Sequence, residues 1–326
     1  MKHISILVPK GAILGSLEGS RQLLTQVNEF FKAKGQDPIF KVQLIGLSKE
    51  IPASGGLFTV NADMVINEVK KTDLIIIPAL DGDLATAIEN NRDFIPWIID
   101  QHRAGAEVAS LCLGAFLLAS TGLLNGKSCA THWMASNEFR RMFPSVNLVT
   151  EQIITDEQGL YSSGGAFSYM NLILYLIEKY AGREMAILSS KVFAIDIERS
   201  NQSPFIMFRG QKEHEDLPIR KAQEFIETNF HEKITVDELA DMLAIGRRSL
   251  ERRFKKATSN TVTEYIQRVK IEAAKKDFET SRKNINEVMY EVGYSDTKAF
   301  RTTFKKITGL SPIDYKNKYN KEMAVA

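Results

Sequence analysis

Residues 234–265 read ITVDELADMLAIGRRSLERRFKKATSNTVTEY, and residues 285–315 read INEVMYEVGYSDTKAFRTTFKKITGLSPIDY. The second stretch repeats the first. Phe254, Lys255, Lys256, Thr258 and Tyr265 recur fifty positions on as Phe304, Lys305, Lys306, Thr308 and Tyr315. Ahead of these the offset is forty-nine, pairing Leu243 with Val292 and Ile245 with Tyr294, so one residue is inserted at a turn. Equal spacing on both sides of a turn implies one supersecondary unit used twice. Its pattern is helix, short turn, helix, the arrangement that lays a helix into a DNA major groove.

The second helix of each copy divides into two faces. In the first, Leu250, Phe254 and Ala257 share one side at helical spacing, with Arg248, Arg252, Lys255 and Lys256 roughly opposite. In the second, Phe300, Phe304 and Ile307 form the seat, and Lys298, Thr302 and Lys305 face outward. Arginine can chelate guanine O6 and N7, whereas lysine more often holds phosphate. Between the copies, residues 264–279 read as a connecting helix of about 24 Å, enough to hold two recognition helices about one DNA turn, roughly 34 Å, apart. A single basic helix is more often a solvated surface; two copies with the same seat and the same outward cations favour DNA.

The length of 326 residues implies two domains. From Pro218 onward there are 22 Lys+Arg against 16 Asp+Glu, and before it 20 against 24, so only the back half carries the charge that suits a polyanion. No apolar run reaches membrane-spanning length, and the start, MKHISILVPKG, makes a poor signal peptide. Cys112 and Cys129 are too few for a disulfide framework. A cytoplasmic protein fits best.

The front half alternates strand and helix signals. HISILV (3–8), FKVQLIG (40–46), DLIIIP (73–78) and EVASLC (107–112) read as strands, with a helix from about Glu18 to Lys34 between the first two. EVASLC runs directly into the helical GAFLLAST, which Gly122 stops. IITDEQGLYSSGG reads as a hairpin, and FSYMNLILYLIEKYAG as an apolar helix closed by Gly182. This alternation predicts an α/β, flavodoxin-like domain with a mostly parallel sheet, followed by an all-α domain with two helix-turn-helix units. The expected divisions are a ligand-sensing and dimerisation domain over 1–197, a linker over 198–217, and a DNA-binding domain over 218–326 with its units at about 234–258 and 285–308. Thr235 and Glu238 form a capping box at the start of the first unit.

LADMLAIGRRSLERRFKKAT and VGYSDTKAFRTTFKKITGLSPIDYK resemble the DNA-binding region of the AraC/XylS family of bacterial transcription regulators. Carried over by position, the resemblance implies base reading by Arg248, Glu251 and Arg252 in the first copy and by Thr297, Lys298 and Thr302 in the second. Arg247, Lys255, Arg301 and Lys305 complete the expected DNA-facing set. Gly246 stands where the family usually has a capping Ser, and Thr302 where it usually has Arg. The unequal faces predict an asymmetric half-site, with the first copy carrying most of the base reading.

In the front half, SLCLGAF places Cys112 between a buried strand and a helix, with Gly114 two residues on. That is the setting of a nucleophile elbow, where a sharp turn exposes the side chain and a helix N-terminus stabilises a thiolate. His132 in CATHW is a possible base and Glu18 a possible third member; an isolated Cys and His are more often structural. LVPKG, IIIPAL, EVASLCLGAFLLASTGLLNGKSCATHW and YSSGGAFSYMNLILYLIEKYAGREMA resemble the PfpI-like, class I glutamine-amidotransferase-like domain. With the back half and QSPF (202–205), the chain resembles the GlxA subgroup of AraC-type regulators from end to end. The subgroup usually carries an acid followed by Gly-Pro; here GSLEGSRQ has Ser16 at that position, Glu18 two residues away and Ser20 for Pro.

The expected function is a DNA-binding transcription regulator, not an enzyme, controlled by a small metabolite in a pocket formed by Cys112, Leu113, His132, Ser163, Gly164 and Gly165. The backbone N–H groups of that last loop could hold an anionic or polar ligand. Cys112, His132 and Glu18 would then be vestigial. The alternative is a cysteine-dependent hydrolase or glyoxal-modifying enzyme with an appended DNA-binding domain. Duplex DNA, a homodimer partner and RNA polymerase are the expected macromolecular partners, with no membrane association. No cofactor and no metal are expected, since the histidines are scattered and no phosphate-binding loop is present.

Overall fold

The computed structural model describes residues 1–197 and 201–320 and divides the chain into two compact units, Met1–Gln202 and Ser203–Ala326. Part of the expected linker, 198–200, and the end of the expected DNA-binding domain, 321–326, lie outside the described residues.

The first unit is built on seven strands in the order β10-β11-β7-β6-β1-β2-β5. In chain order its elements begin with β1 (Lys2–Leu7), α1 (Leu14–Ala33), β2 (Phe40–Gly46), β3 (Glu50–Ala53), β4 (Phe58–Asn61), β5 (Met64–Val65) and β6 (Leu74–Ile77). There follow α2 (Leu84–Asn90), α3 (Phe94–Arg103), β7 (Glu107–Leu111), α4 (Ala115–Ser120), β8 (Ser128–Cys129) and α5 (Ser136–Met142). The unit ends with β9 (Asn147–Leu148), β10 (Ile154–Asp156), β11 (Leu160–Ser163), α6 (Tyr169–Ala181) and α7 (Arg183–Val192). Pairings in the main sheet are parallel except the β10–β11 hairpin. β6 is apolar throughout because both faces are covered, and the apolar residues of β1 divide in the same way: Ile4, Ile6, Leu74 and Ile76 face one core, Leu7, Ile75 and Ile77 the other. Parallel strands bring their C-terminal ends to one edge, where open α/β sheets place their ligands.

α1 begins four residues earlier than the sequence predicts. Its first turn holds no acid, and Ile13 at the N-cap makes no side-chain cap. Gly19 lies inside the helix because Tyr169 packs there; a Cβ would meet the Tyr169 hydroxyl at 2.4 Å. That hydroxyl donates to Gly15 O at 2.7 Å.

The second unit is helical: α8 (Leu217–Thr228), α9 (Val236–Met242), α10 (Arg247–Thr258), α11 (Val262–Thr280), α12 (Ile285–Glu291), α13 (Thr297–Thr308) and α14 (Pro312–Tyr319). α9 and α12 start forty-nine residues apart, α10 and α13 fifty, so the extra residue falls in the second turn. Each pair seats on its own core. Leu250 and Phe254 are buried with Ile219, Leu239 and Tyr265, and Phe300 and Phe304 with Ile271, Phe278 and Tyr315. The closing tyrosines repeat their contacts, Tyr265 edge-on to Phe254 at 5.2 Å and Tyr315 edge-on to Phe304 at 5.4 Å. α11, about 28 Å long at helical rise, supplies residues to both cores.

The stretch read from sequence as a linker is partly fastened to this unit. Ile206 O accepts from the buried Lys275 ammonium at 2.6 Å, Phe208 N donates to Glu272 at 3.0 Å, and the Phe208 ring packs edge-on to Tyr265 at 5.0 Å. Asp216 then caps α8 and holds Arg253 through two bonds of 2.6 and 2.9 Å.

Candidate functional site

On α10, the apolar seat leaves Arg247, Arg248, Glu251, Arg252, Lys255 and Lys256 exposed. They are not equivalent. The Arg247 guanidinium is held by Asp237 of α9 at 2.8 and 3.1 Å and reaches Glu251 at 3.4 Å, bracing the first helix against the second. Lys255 turns back to Ser259 O at 2.9 Å and lies 3.7 Å from Glu264. Arg248, Arg252 and Lys256 make no ion pair among the described residues. On α13, Lys298, Arg301, Thr302, Lys305 and Lys306 are exposed, its cations likewise unpaired among the described residues, while Thr297 is half-buried.

The two recognition helices also start differently. Gly246, the N-cap of α10, offers no side-chain acceptor, whereas Asp296 caps α13 by accepting from Ala299 N at 2.5 Å. A carboxylate at a helix N-terminus offsets orphan N–H groups and complements the helix dipole.

At the C-terminal edge of the first unit's sheet, Cys112 follows β7 with φ of +52°, a left-handed turn that only a constrained site holds in a non-glycine residue. Gly114 permits it: a Cβ there would strike the carbonyl oxygens of Pro78 and Ile77 at 2.4 and 2.7 Å. The elbow geometry is present, but its chemistry is muted. Burial pushes the Cys112 thiol up to about 11, and the Leu113 backbone hydrogen bond offsets only part of that. Desolvation lowers the His132 pKa, which keeps the imidazole neutral. Its Nδ1 accepts from Met134 N at 3.2 Å, so the proton sits on Nε2. No Cys112–His132 hydrogen bond occurs among the described residues.

The expected third member does not join the site. Glu18 is exposed and forms a two-point pair with Arg21 at 2.7 Å. Ser16, at the acid position, donates to Ile13 O at 2.8 Å and accepts from Ala79 N at 3.0 Å, so it fixes a loop. The Gly164 N–H is also not free for an anion, because it donates to Ile153 O at 2.8 Å. Ser163 lies beside the elbow, its Oγ accepting from Cys112 N at 3.4 Å. Leu113 is half-buried in the first turn after it. Among the described residues no group of three or more His, Cys, Asp or Glu side chains gathers to hold a metal ion, and no helix is long and apolar enough to cross a membrane.

Comparison with known proteins places both units. Residues 26–179 match the DJ-1/PfpI family, and residues 239–318 match the Helix-turn-helix domain family. The HTH-type transcriptional regulator GbdR of Pseudomonas aeruginosa is 26% identical over 277 residues, spanning 82% of this chain and 71% of that protein. The HTH-type transcriptional regulator GlxA of Rhizobium meliloti is 21% identical over 211 residues, 64% of this chain and 65% of that one. The crystal structure of an AraC family transcriptional regulator from Pseudomonas putida shares the fold at TM-score 0.50 and 15% identity, covering 59% of this chain and all of that one. The chain joins a DJ-1/PfpI domain to an AraC-type helix-turn-helix domain, and relatives of this architecture are HTH-type transcriptional regulators.

Two residues of this regulator escape a motif-based reading of the Cys112 elbow. Thr131 and Gln202 are buried, and both bond to backbone around the elbow: Thr131 Oγ1 donates to Cys112 O at 2.9 Å, and Gln202 Nε2 donates to Thr131 O at 3.0 Å. The QSPF motif was visible in the sequence, but nothing local signals that its glutamine reaches a carbonyl 71 residues away.

Proposed function

We propose that this regulator reads a specific operator by laying α10 and α13 into the major groove, and that a small metabolite held at the Cys112 elbow controls its occupancy. The observation that carries the DNA reading is the duplicated helix pair, whose buried seats leave Arg248, Arg252 and Lys256 on one recognition helix and Lys298, Arg301 and Lys305 on the other exposed and unpaired among the described residues. The protein acts in the cytoplasm as a homodimer and communicates with RNA polymerase. Its effector works by binding two states of the protein with different affinity. The pocket groups are Cys112, Leu113, His132, Ser163 and Gly165, with Gly164 shaping the wall.

A protonated buried thiol, a His132 whose Nδ1 lone pair is already taken by Met134 N, and a serine in place of the acid favour a binding role over turnover, so we set the hydrolase or glyoxal-modifying reading second. A footprint tests the first. The purified chain should protect one site upstream of its own operon, with affinity falling steeply as salt rises through release of counterions. Equal protection of unrelated DNA would reject sequence-specific regulation.

A further inference from the structure

We propose that Gln202 is the positioning residue that carries effector occupancy from the elbow to the DNA-binding unit; this rests on the reading that the elbow takes the effector. Gln202 is 1% exposed. Its backbone N donates to Glu151 O at 2.8 Å. Its Nε2 donates to Thr150 O at 2.8 Å, Thr131 O at 3.0 Å and Gln152 O at 3.3 Å. Three carbonyls fix which end of the amide carries the protons. Oε1 is therefore turned away from them, buried, and without a hydrogen-bond partner among the described residues, a costly arrangement for an amide oxygen.

The amide lies against the Gly164–Gly165 loop. A Cβ on Gly164 would meet Nε2 at 2.2 Å, and one on Gly165 would lie 3.7 Å from Oε1. The carbonyl that Nε2 holds belongs to Thr131, whose hydroxyl holds Cys112 O and whose neighbour is His132. A ligand seated among Cys112, His132 and the Ser163–Gly165 loop therefore presses on the groups that fix Gln202.

The chain leaves this anchor and is held again almost at once. Pro204 O accepts from Tyr319, Ile206 O from Lys275, and Phe208 N donates to Glu272. Lys275 is 3% exposed, so loss of Ile206 O would leave a buried ammonium short of an acceptor. Lys275 and Glu272 belong to α11, the helix that serves the cores of both helix-turn-helix units. Displacement of Gln202 is thus passed to bonded residues, where a free linker would absorb it.

The test uses the full chain and a covalent occupant, the carbamidomethyl group that iodoacetamide leaves on Cys112, with the site checked by peptide mass. Operator affinity is measured by fluorescence anisotropy on the footprinted DNA. In the unaltered protein, alkylation should shift Kd by about fivefold or more, the lower range of allosteric coupling. In Gln202→Ala the shift should fall below about twofold. It should also fall below about twofold when Gly-Ser-Gly-Ser is inserted after Gln202, which leaves both anchors intact and adds slack. If Gln202→Ala does not fold, judged by its melting curve, the insertion decides alone. The same shift in all three proteins would overturn the proposal. No shift in the unaltered protein would instead reject effector control from the elbow, and this inference with it.

Discussion

Ala244 and Gly293 stand at the same place in the two turns, forty-nine residues apart, and both have left-handed backbone, φ 51° at Ala244 and 73° at Gly293. Glycine adopts this conformation freely, whereas a Cβ costs about 1 kcal/mol. The exchange is not symmetric. A Cβ on Gly293 would approach His231 O to 2.2 Å and the Lys270 ammonium to 2.6 Å. Ala244→Gly should therefore raise the stability of the second unit by about 1 kcal/mol. Gly293→Ala should lower it by about 3 kcal/mol, as backbone strain adds to the clash. Helical circular dichroism checks this, because Trp97 and Trp133 lie in the first unit and their fluorescence follows that unit alone. Equal and opposite effects would contradict the clash.

The N-cap of α10 invites the opposite kind of change. Gly246 has φ of −63° and ψ of 141°, which any residue adopts, and a Cβ there meets nothing within 4 Å. Gly246→Ser should supply the acceptor that Asp296 gives α13 and raise the melting temperature, by a few tenths to about 1 kcal/mol of stability. Operator affinity should stay within about twofold, since the added hydroxyl carries no charge. A lower melting temperature would mean that the glycine is needed for its backbone.

The repeat made the second unit legible because each seat is an i, i+4 pattern of large apolar residues, and Phe254 and Phe304 are buried as that pattern requires. The buried strands of the first unit were legible for a similar reason: Leu74–Ile77 is apolar on both faces because helices cover both. α2 is only seven residues long, and the β3–β4 hairpin has four-residue strands, one of them holding Pro52, so neither sustains a period. The elbow was visible at Cys112, but its protonation was not, since that depends on how deeply the fold buries the thiol. Glu18 illustrates the same gap: sequence places it two residues from the acid position, and a helical partner at i+3, Arg21, takes it away. Gln202 depended wholly on contacts between distant residues.

The buried thiol sets a pH profile that separates binding from catalysis. A cysteine whose pKa is raised to about 11 by burial is protonated through the neutral range, with about one molecule in ten thousand as thiolate at pH 7. Only the thiolate alkylates. The rate of Cys112 alkylation by iodoacetamide should therefore rise about tenfold per pH unit from pH 7 to pH 10, without a plateau. Cys129, fully buried with its thiol pushed up to about 12, should react more slowly still. A plateau below pH 8 would reveal an activated thiolate and bring the enzyme reading forward.

The exposed cations predict which substitutions change sequence preference and which change only affinity. Arg252 is exposed on α10 and makes no ion pair among the described residues, so its guanidinium is available to a base edge. Arg252→Ala should cost about 1–3 kcal/mol on the preferred operator and relax selection at one base position. Thr302→Ala, at the matching place on α13, removes no charge and should cost less. Lys256→Ala should weaken binding to all sequences alike and reduce the salt slope by about one. Arg247→Ala differs from all three, because that side chain braces α9 through Asp237; it should change melting temperature as well as affinity. Binding curves on a randomised operator at two salt concentrations distinguish these outcomes. Equal loss of sequence preference in Arg252→Ala and Thr302→Ala would overturn the assignment of base reading chiefly to the first copy.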